Sequence, residues 1–164
     1  MKKAIIICLF CFSKMLWAQE PVSENELIGT WSLVSITNIY QDGTRVQPYG
    51  NNPDGILIFD KKGNYTIQIL RAQRPLIATG NKNTSTPDEN AALVQGYNGH
   101  YGTYTVEANN KIIVFRITHA FFPNWEHKIQ KRTYSYKNNE IKYIVTNTTQ
   151  GGQSVVAEVV WRRR

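Results

Sequence analysis

Three side chains in the alternating segments of this chain could meet around one bound or reacting group: His119, Arg71 and Tyr104. In Lys111 to Phe121, one face reads Ile113, Phe115, Ile117, His119 and Phe121; the other reads Ile112, Val114, Arg116, Thr118 and Ala120. Successive strand residues point to opposite faces, so the aromatic-rich set, with His119 in it, is assigned to an interior. The same count places Tyr65, Ile67, Ile69 and Arg71 on one face. It turns Tyr104 inward with Val106, or Tyr101 in place of Tyr104 if the register slips by one residue. An imidazole, a guanidinium and a phenol among apolar walls suit an acidic or carbonyl-bearing apolar molecule, with Arg71 holding a carboxylate through two parallel hydrogen bonds. In an enzyme of the isomerase or cyclase type, His119 would be the general acid or base, and Arg71 and Tyr104 would stabilise an enolate-like oxygen. Each residue also has a plainer reading: Arg71 leaves its strand into water, His119 is a core residue bonded to a neighbour, and Tyr104 is core.

Phe121-Phe122-Pro123-Asn124-Trp125 is the densest aromatic cluster and joins two strand-like runs. It forms either the rim of a pocket, with Asn124 donating to a ligand, or a plug at one end. His127 shares a face with Trp125, and Lys131 on that face argues for partial exposure. The ligand-binding candidates are therefore Arg71, Tyr104, Phe115, His119, Phe121, Asn124 and Trp125. His100, His119 and His127 lack metal-ligand spacing, and there is no HExxH, phosphate loop or GxSxG. The acids fall mainly at turns, caps and strand ends, which disfavours a paired-carboxylate hydrolase. No metal and no cofactor is implied.

The chain opens on a positive stretch (Lys2, Lys3), an apolar run from Ala4 to Phe12, and Leu16-Trp17-Ala18. This reads as a secretory signal peptide over residues 1–18, cut after Ala18, and its apolar run is too short to span a bilayer. An uncleaved anchor is the alternative. Cys8 and Cys11 both lie in this leader, so the remaining chain has no thiol for a disulfide, a metal or nucleophilic attack. Lys2, Lys3 and Lys14 leave with it and no acid does, lowering the net charge from +7 to +4. The only cation run left is Arg162-Arg163-Arg164, so nucleic acid is not a partner. Secretion or residence in a periplasm follows, with no transmembrane segment after cleavage.

Residues 19–26 are a lead-in in which Ser23 and Glu26 have capping-box spacing, predicting one helical turn. The domain at 27–164 contains eight β-rich runs: Thr30 to Tyr40, Gly55 to Asp60, Tyr65 to Arg71, Tyr101 to Glu107, Lys111 to Phe121, Trp125 to Tyr136, Glu140 to Asn147 and Ser154 to Trp161. Most connections are hairpin-like, and eight such strands favour closure into an up-and-down barrel, which removes exposed edges. The break from Pro75 to Asn98 carries a helix signal: Thr86 as cap, Pro87 first, Glu89 third, and Gly96 at the end. A loop of that length could cover a barrel mouth. Gly29-Thr30-Trp31 begins the first run and Trp161-Arg162 ends the last. We assign Gly29, Trp31, Trp161 and Arg162 to barrel closure, with the guanidinium of Arg162 or Arg163 across the indole of Trp31.

Gly29-Thr30-Trp31-Ser32-Leu33-Val34-Ser35, Asp42-Gly43-Thr44, Pro48-Tyr49-Gly50 and Pro53-Asp54-Gly55 occur in series with Arg71 to Pro75, Tyr101-Gly102-Thr103-Tyr104-Thr105-Val106 and Phe122-Pro123-Asn124-Trp125. From Leu27 to Arg162 this series resembles the bacterial and fungal lipocalin-like domain. The resemblance implies an all-β, eight-stranded antiparallel up-and-down barrel of the calycin type and implies little about activity. Leu76 to Asn90 is longer and more polar than the family pattern. The leading expectation is a barrel that binds a small hydrophobic or amphipathic ligand without changing it. An isomerase or cyclase, or a protein-interaction barrel without a ligand, is the alternative.

Overall fold

Apolar and β-branched residues recur at every second position along this chain, and each such run forms a strand that turns back against the one before it. The computed structural model describes residues 24–150 and 153–164. The leader, with Cys8 and Cys11, and the Ser23 cap lie outside those residues. A helical turn, α1 (Glu24–Leu27), precedes β1 (Gly29–Ile39), followed by β2 (Arg45–Val46), β3 (Asp54–Phe59) and β4 (Asn64–Leu70). After the long break come α2 (Pro87–Gln95), β5 (Tyr97–Glu107), β6 (Ile112–Ala120), β7 (Ile129–Lys137), β8 (Glu140–Gln150) and β9 (Gln153–Arg163).

Strands β1 and β3 to β9 pair in chain order, all antiparallel, and β9 returns to pair with β1 from Trp31↔Arg163 to Ile39↔Val156. The result is a closed eight-stranded up-and-down barrel. The two-residue β2 is an addition, attached only to the end of β1. Strand β5 starts four residues earlier than the alternation suggested, because Tyr97 to His100 pair with Leu70 to Ile67. Trp125 sits in a single 3-10 turn (Pro123–Trp125), and the next strand begins only at Ile129. No helix among the described residues is long and apolar enough to cross a membrane.

Helix α2 forms as its sequence dictates. The Thr86 hydroxyl accepts from the Glu89 N–H while Glu89 accepts from the Thr86 N–H, with Pro87 at the first position. None of its residues is fully buried. It lies beside the start of β5 without lining the barrel interior, so it is not a lid in this structure.

The end of the barrel near α1 is sealed by aromatic packing. Trp31 and Trp161 have no exposed surface, and the Trp31 indole N–H donates to the Leu27 carbonyl at 2.9 Å. The guanidinium over the Trp31 ring belongs to Arg163, at 4.3 Å from the ring centroid. Arg163 also donates to the carbonyls of Ile28, at 2.8 Å, and Glu26. Arg162 instead reaches outward to Glu140 at 2.8 Å. Alternation decides between them: residues two apart share a face, so Trp161 and Arg163 lie together at the base while Arg162 turns to solvent. Gly29 has φ of +137°, a conformation that favours glycine, and a Cβ there would stand 2.7 Å from Arg163 Nη1 and push the guanidinium aside.

Replacing Gly29 by Ala should destabilise the barrel by about 1–3 kcal/mol through enforced backbone strain. Arg163→Met should lose roughly 0.5–2 kcal/mol of ring contact besides its carbonyl bonds, whereas Arg162→Met, which breaks only an exposed pair, should shift stability by less than about 1 kcal/mol. Guanidinium denaturation midpoints of the three variants check that order; equal effects at 162 and 163 would remove Arg163 from the seal.

Candidate functional site

Away from the sealed base the inward side chains stop filling the barrel. A cavity of about 530 Å³ opens there, walled by Ile36, Ile67, Ile69, Val145, Ala157 and Val159, and by the ring of Tyr143. Its polar lining comes from Asn38, Tyr49, Asn98, His100, Gln130, Arg132 and Thr146, with Trp125, Ile129 and Lys131, the last paired with Glu107, on the rim. Every second residue of β7 points in, which places Gln130, Arg132, Tyr134 and Tyr136 on the inner face.

Arg132 is 5% exposed and lies on an aromatic floor. Its guanidinium carbon is 4.4 Å from the centroid of Phe115 and 4.8 Å from that of Tyr143. Phe115 in turn rests on Tyr65 and Phe59, so this layer divides the cavity from the packed base. Arg132 Nη2 donates to Gln130 Oε1 at 2.6 Å and meets His100 Nε2 at 3.2 Å, and Nε has no partner. Among the described residues no carboxylate comes within ion-pair distance of it. A desolvated cation held only by neutral groups is expensive, even with two ring faces beneath it.

His100, also 5% exposed, is held neutral: burial, and then the adjacent guanidinium, push its pKa well below the usual 6.5. A guanidinium can only donate, so Nε2 accepts from Arg132 and Nδ1 carries the proton. Nδ1–H then donates to the Tyr65 hydroxyl oxygen at 2.8 Å. Burial raises the Tyr65 phenol further from ionisation, against the pull of Arg132. Nearer the mouth, Asn98 and Tyr49 both line the cavity, and burial raises the Tyr49 pKa against the opposing influence of the Asn98 side chain and Arg71. The polar groups thus form a deep cationic station and, one two-residue step along β5, a neutral one.

A family model of the lipocalin-like domain matches residues 28–164. The chain belongs to the lipocalin-like domain family. No curated protein matches the chain. The match spans every strand of the barrel just described, including both ends of the β1–β9 seam.

Among the residues expected at the site, this lipocalin-like barrel places Trp125 at the cavity rim and Phe115 under Arg132. The others lie elsewhere. His119 is on the outer surface, its side chain 54% exposed, with Nδ1 3.3 Å from Glu126. Phe121 is also outside, ring against Tyr97, and Asn124 is exposed in the turn. Arg71 follows the end of β4, half-buried behind Tyr49, its Nε donating to the Pro48 carbonyl. Tyr104 is packed on Phe59 below the aromatic floor and donates to the Asp60 carbonyl. His119, Arg71 and Tyr104 therefore occupy three separate places, and the enolate-stabilising arrangement they would need does not form. His119, His127 and Glu126 gather on the outer face, yet no group of three potential ligands among the described residues is placed to hold a metal.

The displacement of His119 has a local cause. Tyr101 pairs with His119, but the next residue, Gly102, pairs with Ile117, so Thr118 is an extra residue in β6. The bulge inverts the alternation, leaving Ile117 in and both Thr118 and His119 out. A Cβ on Gly102 would run into the Arg116 carbonyl and the Thr118 N–H, so only glycine permits the close approach. His100 and Arg132, missed in the sequence, were available by simple alternation from Tyr104 and from Tyr134.

Below pH 6.5 the unfolded chain protonates His100 while the folded chain does not, so the unfolded state binds more protons. The stability from this difference is complete above that value and is lost as pH falls toward the depressed folded value. Denaturation midpoints followed from about pH 8 to about pH 5 should drop on the acid side. His100→Gln keeps an acceptor for Arg132 and should flatten this part of the drop. An identical profile in the variant would mean that His100 protonates freely in the folded barrel.

Proposed function

We propose that this lipocalin-like barrel is a secreted or periplasmic protein that carries a small amphipathic ligand in its cavity, head group down against Arg132. The observation that carries the reading is the buried guanidinium in the cavity wall with no carboxylate among the described residues to neutralise it. An acidic head group, or a strongly polarised carbonyl, would supply the missing acceptor, and the aliphatic wall would take an apolar body. Burial of that body contributes roughly 25 cal/mol per Å² removed from water, and the buried charge pair adds selectivity. The leader expected at residues 1–18 supports export. N-terminal sequencing of the exported protein should find Gln19 first, and retention of Met1 would count against cleavage.

Dodecanoate and dodecanol share a tail and differ in head group. In calorimetric titration the acid should bind at least about ten-fold more tightly, an advantage of about 1.4 kcal/mol. Arg132→Met should erase that preference while leaving the fold as stable or more so, because the variant removes an uncompensated buried charge at little change in volume. A barrel that holds nothing by native mass spectrometry and binds neither probe would overturn the reading.

A further inference from the structure

We propose that His100 is a second head-group residue of this cavity, and that an anionic ligand enters together with one proton, which settles on His100 Nε2. The inference rests on the reading of the cavity as an anion-binding site and adds to it a residue and a pH dependence.

The geometry carries the argument. His100 Nε2 and Arg132 Nη2 are 3.2 Å apart, and both residues line the same cavity. An anion that reaches Arg132 from the cavity therefore arrives beside Nε2. Before it arrives, a proton on Nε2 would set two donors face to face, with the guanidinium charge adjacent. Every group packed on His100 enforces this. From β4, Tyr65 takes the Nδ1–H; from β7, Arg132 supplies the adjacent charge, with Gln130 behind it, while Lys131 on the same strand is exposed and paired with Glu107. From β6 and from the turn before β7, the rings of Phe115 and Trp125 stand 6.4 and 6.0 Å away and offer no acceptor. Tyr143, from β8, lies beneath Arg132. No carboxylate among the described residues reaches either member of the pair.

The head group changes each of these terms at once. Its negative charge offsets Arg132, and its oxygens accept from Arg132 and from a protonated Nε2 together. Nδ1–H keeps its bond to Tyr65, so the ring need not turn. The proton comes from solvent and returns there on release; no covalent bond to the ligand forms or breaks. A proton bound more tightly in the complex than in the free barrel makes affinity rise on acidification, by reciprocity of linkage.

Dodecanesulfonate is the deciding probe, since its head group stays ionised throughout and any proton taken up belongs to the protein. Titrations of the full chain should show affinity rising as pH falls below about 7, by up to about ten-fold per pH unit for one proton. The heat at fixed pH should differ between two buffers of unlike ionisation enthalpy. His100→Gln should bind with a flat pH profile and a buffer-independent heat; a double His119→Gln, His127→Gln variant should retain both dependences. A pH-independent affinity with buffer-independent heat in the unsubstituted chain overturns the proton linkage even if the variants do not fold, and so does a slope that survives in folded His100→Gln. Either result leaves anion binding standing if dodecanoate still outcompetes dodecanol. Equal binding of dodecanesulfonate to Arg132→Met and the unsubstituted barrel instead overturns the underlying anion-binding reading.

Discussion

Pairing of β9 with β1 is the constraint on which everything else in this barrel depends. A sheet of eight strands left open would present two long edges, and its inward side chains would face no opposite wall. Closure gives each inward residue a neighbour across the barrel as well as along the strand. The register of that seam, Trp31 against Arg163 and Ile36 against Val159, decides which residues meet at the base and which face empty space. At the base the inward residues are large: Trp31, Trp161, Tyr104 and Phe59 fill the barrel completely. Toward the other end they shrink to isoleucine, valine and alanine, and the cavity is the volume those smaller side chains leave.

Two guanidiniums held against aromatic rings divide the labour between these ends. Arg163 lies over Trp31, and its donors meet backbone carbonyls at the exit of α1, so its charge is spread over fixed dipoles at the barrel's edge. Arg132 lies over Phe115 and Tyr143 in a drier place, with only a carboxamide and a neutral imidazole as partners. The first arrangement is complete and closes the structure. The second is incomplete in charge, and the proposed preference for an acidic head group rests on that difference.

The container was legible in the sequence to a greater extent than its contents. The glycine and tryptophan at the first strand, the tryptophan at the last, and the Thr86-Pro87 start of α2 each appear where simple local rules put them; of the two arginines offered for closure, Arg163 lies over Trp31 while Arg162 faces solvent. Alternation also identified Tyr65, Ile67 and Ile69 as interior. It misplaced His119 because one added residue, Thr118, inverts the count for the rest of β6, and a bulge leaves almost no trace in a single sequence. Arg132 was hidden by habit more than by physics. It alternates correctly with Tyr134 and Tyr136, but an arginine on a strand is ordinarily assigned to water, and its burial depends on Phe115 and Tyr143 from two other strands.

Gly102 marks where these threads meet. The approach it permits between β5 and β6 creates the bulge, and the bulge turns His119 outward while His100, two residues before Gly102 on the same face, stays inward. Were Thr118 paired regularly with Tyr101 instead of bulged, His119 would fall opposite His100 and turn into the barrel. Two imidazoles and a guanidinium would then compete for one small space, and His100 could not be held by Tyr65 on one side and Arg132 on the other without crowding. Sending one histidine out leaves a single titratable ring beside a single fixed cation. That pairing follows from a glycine that does not itself line the cavity.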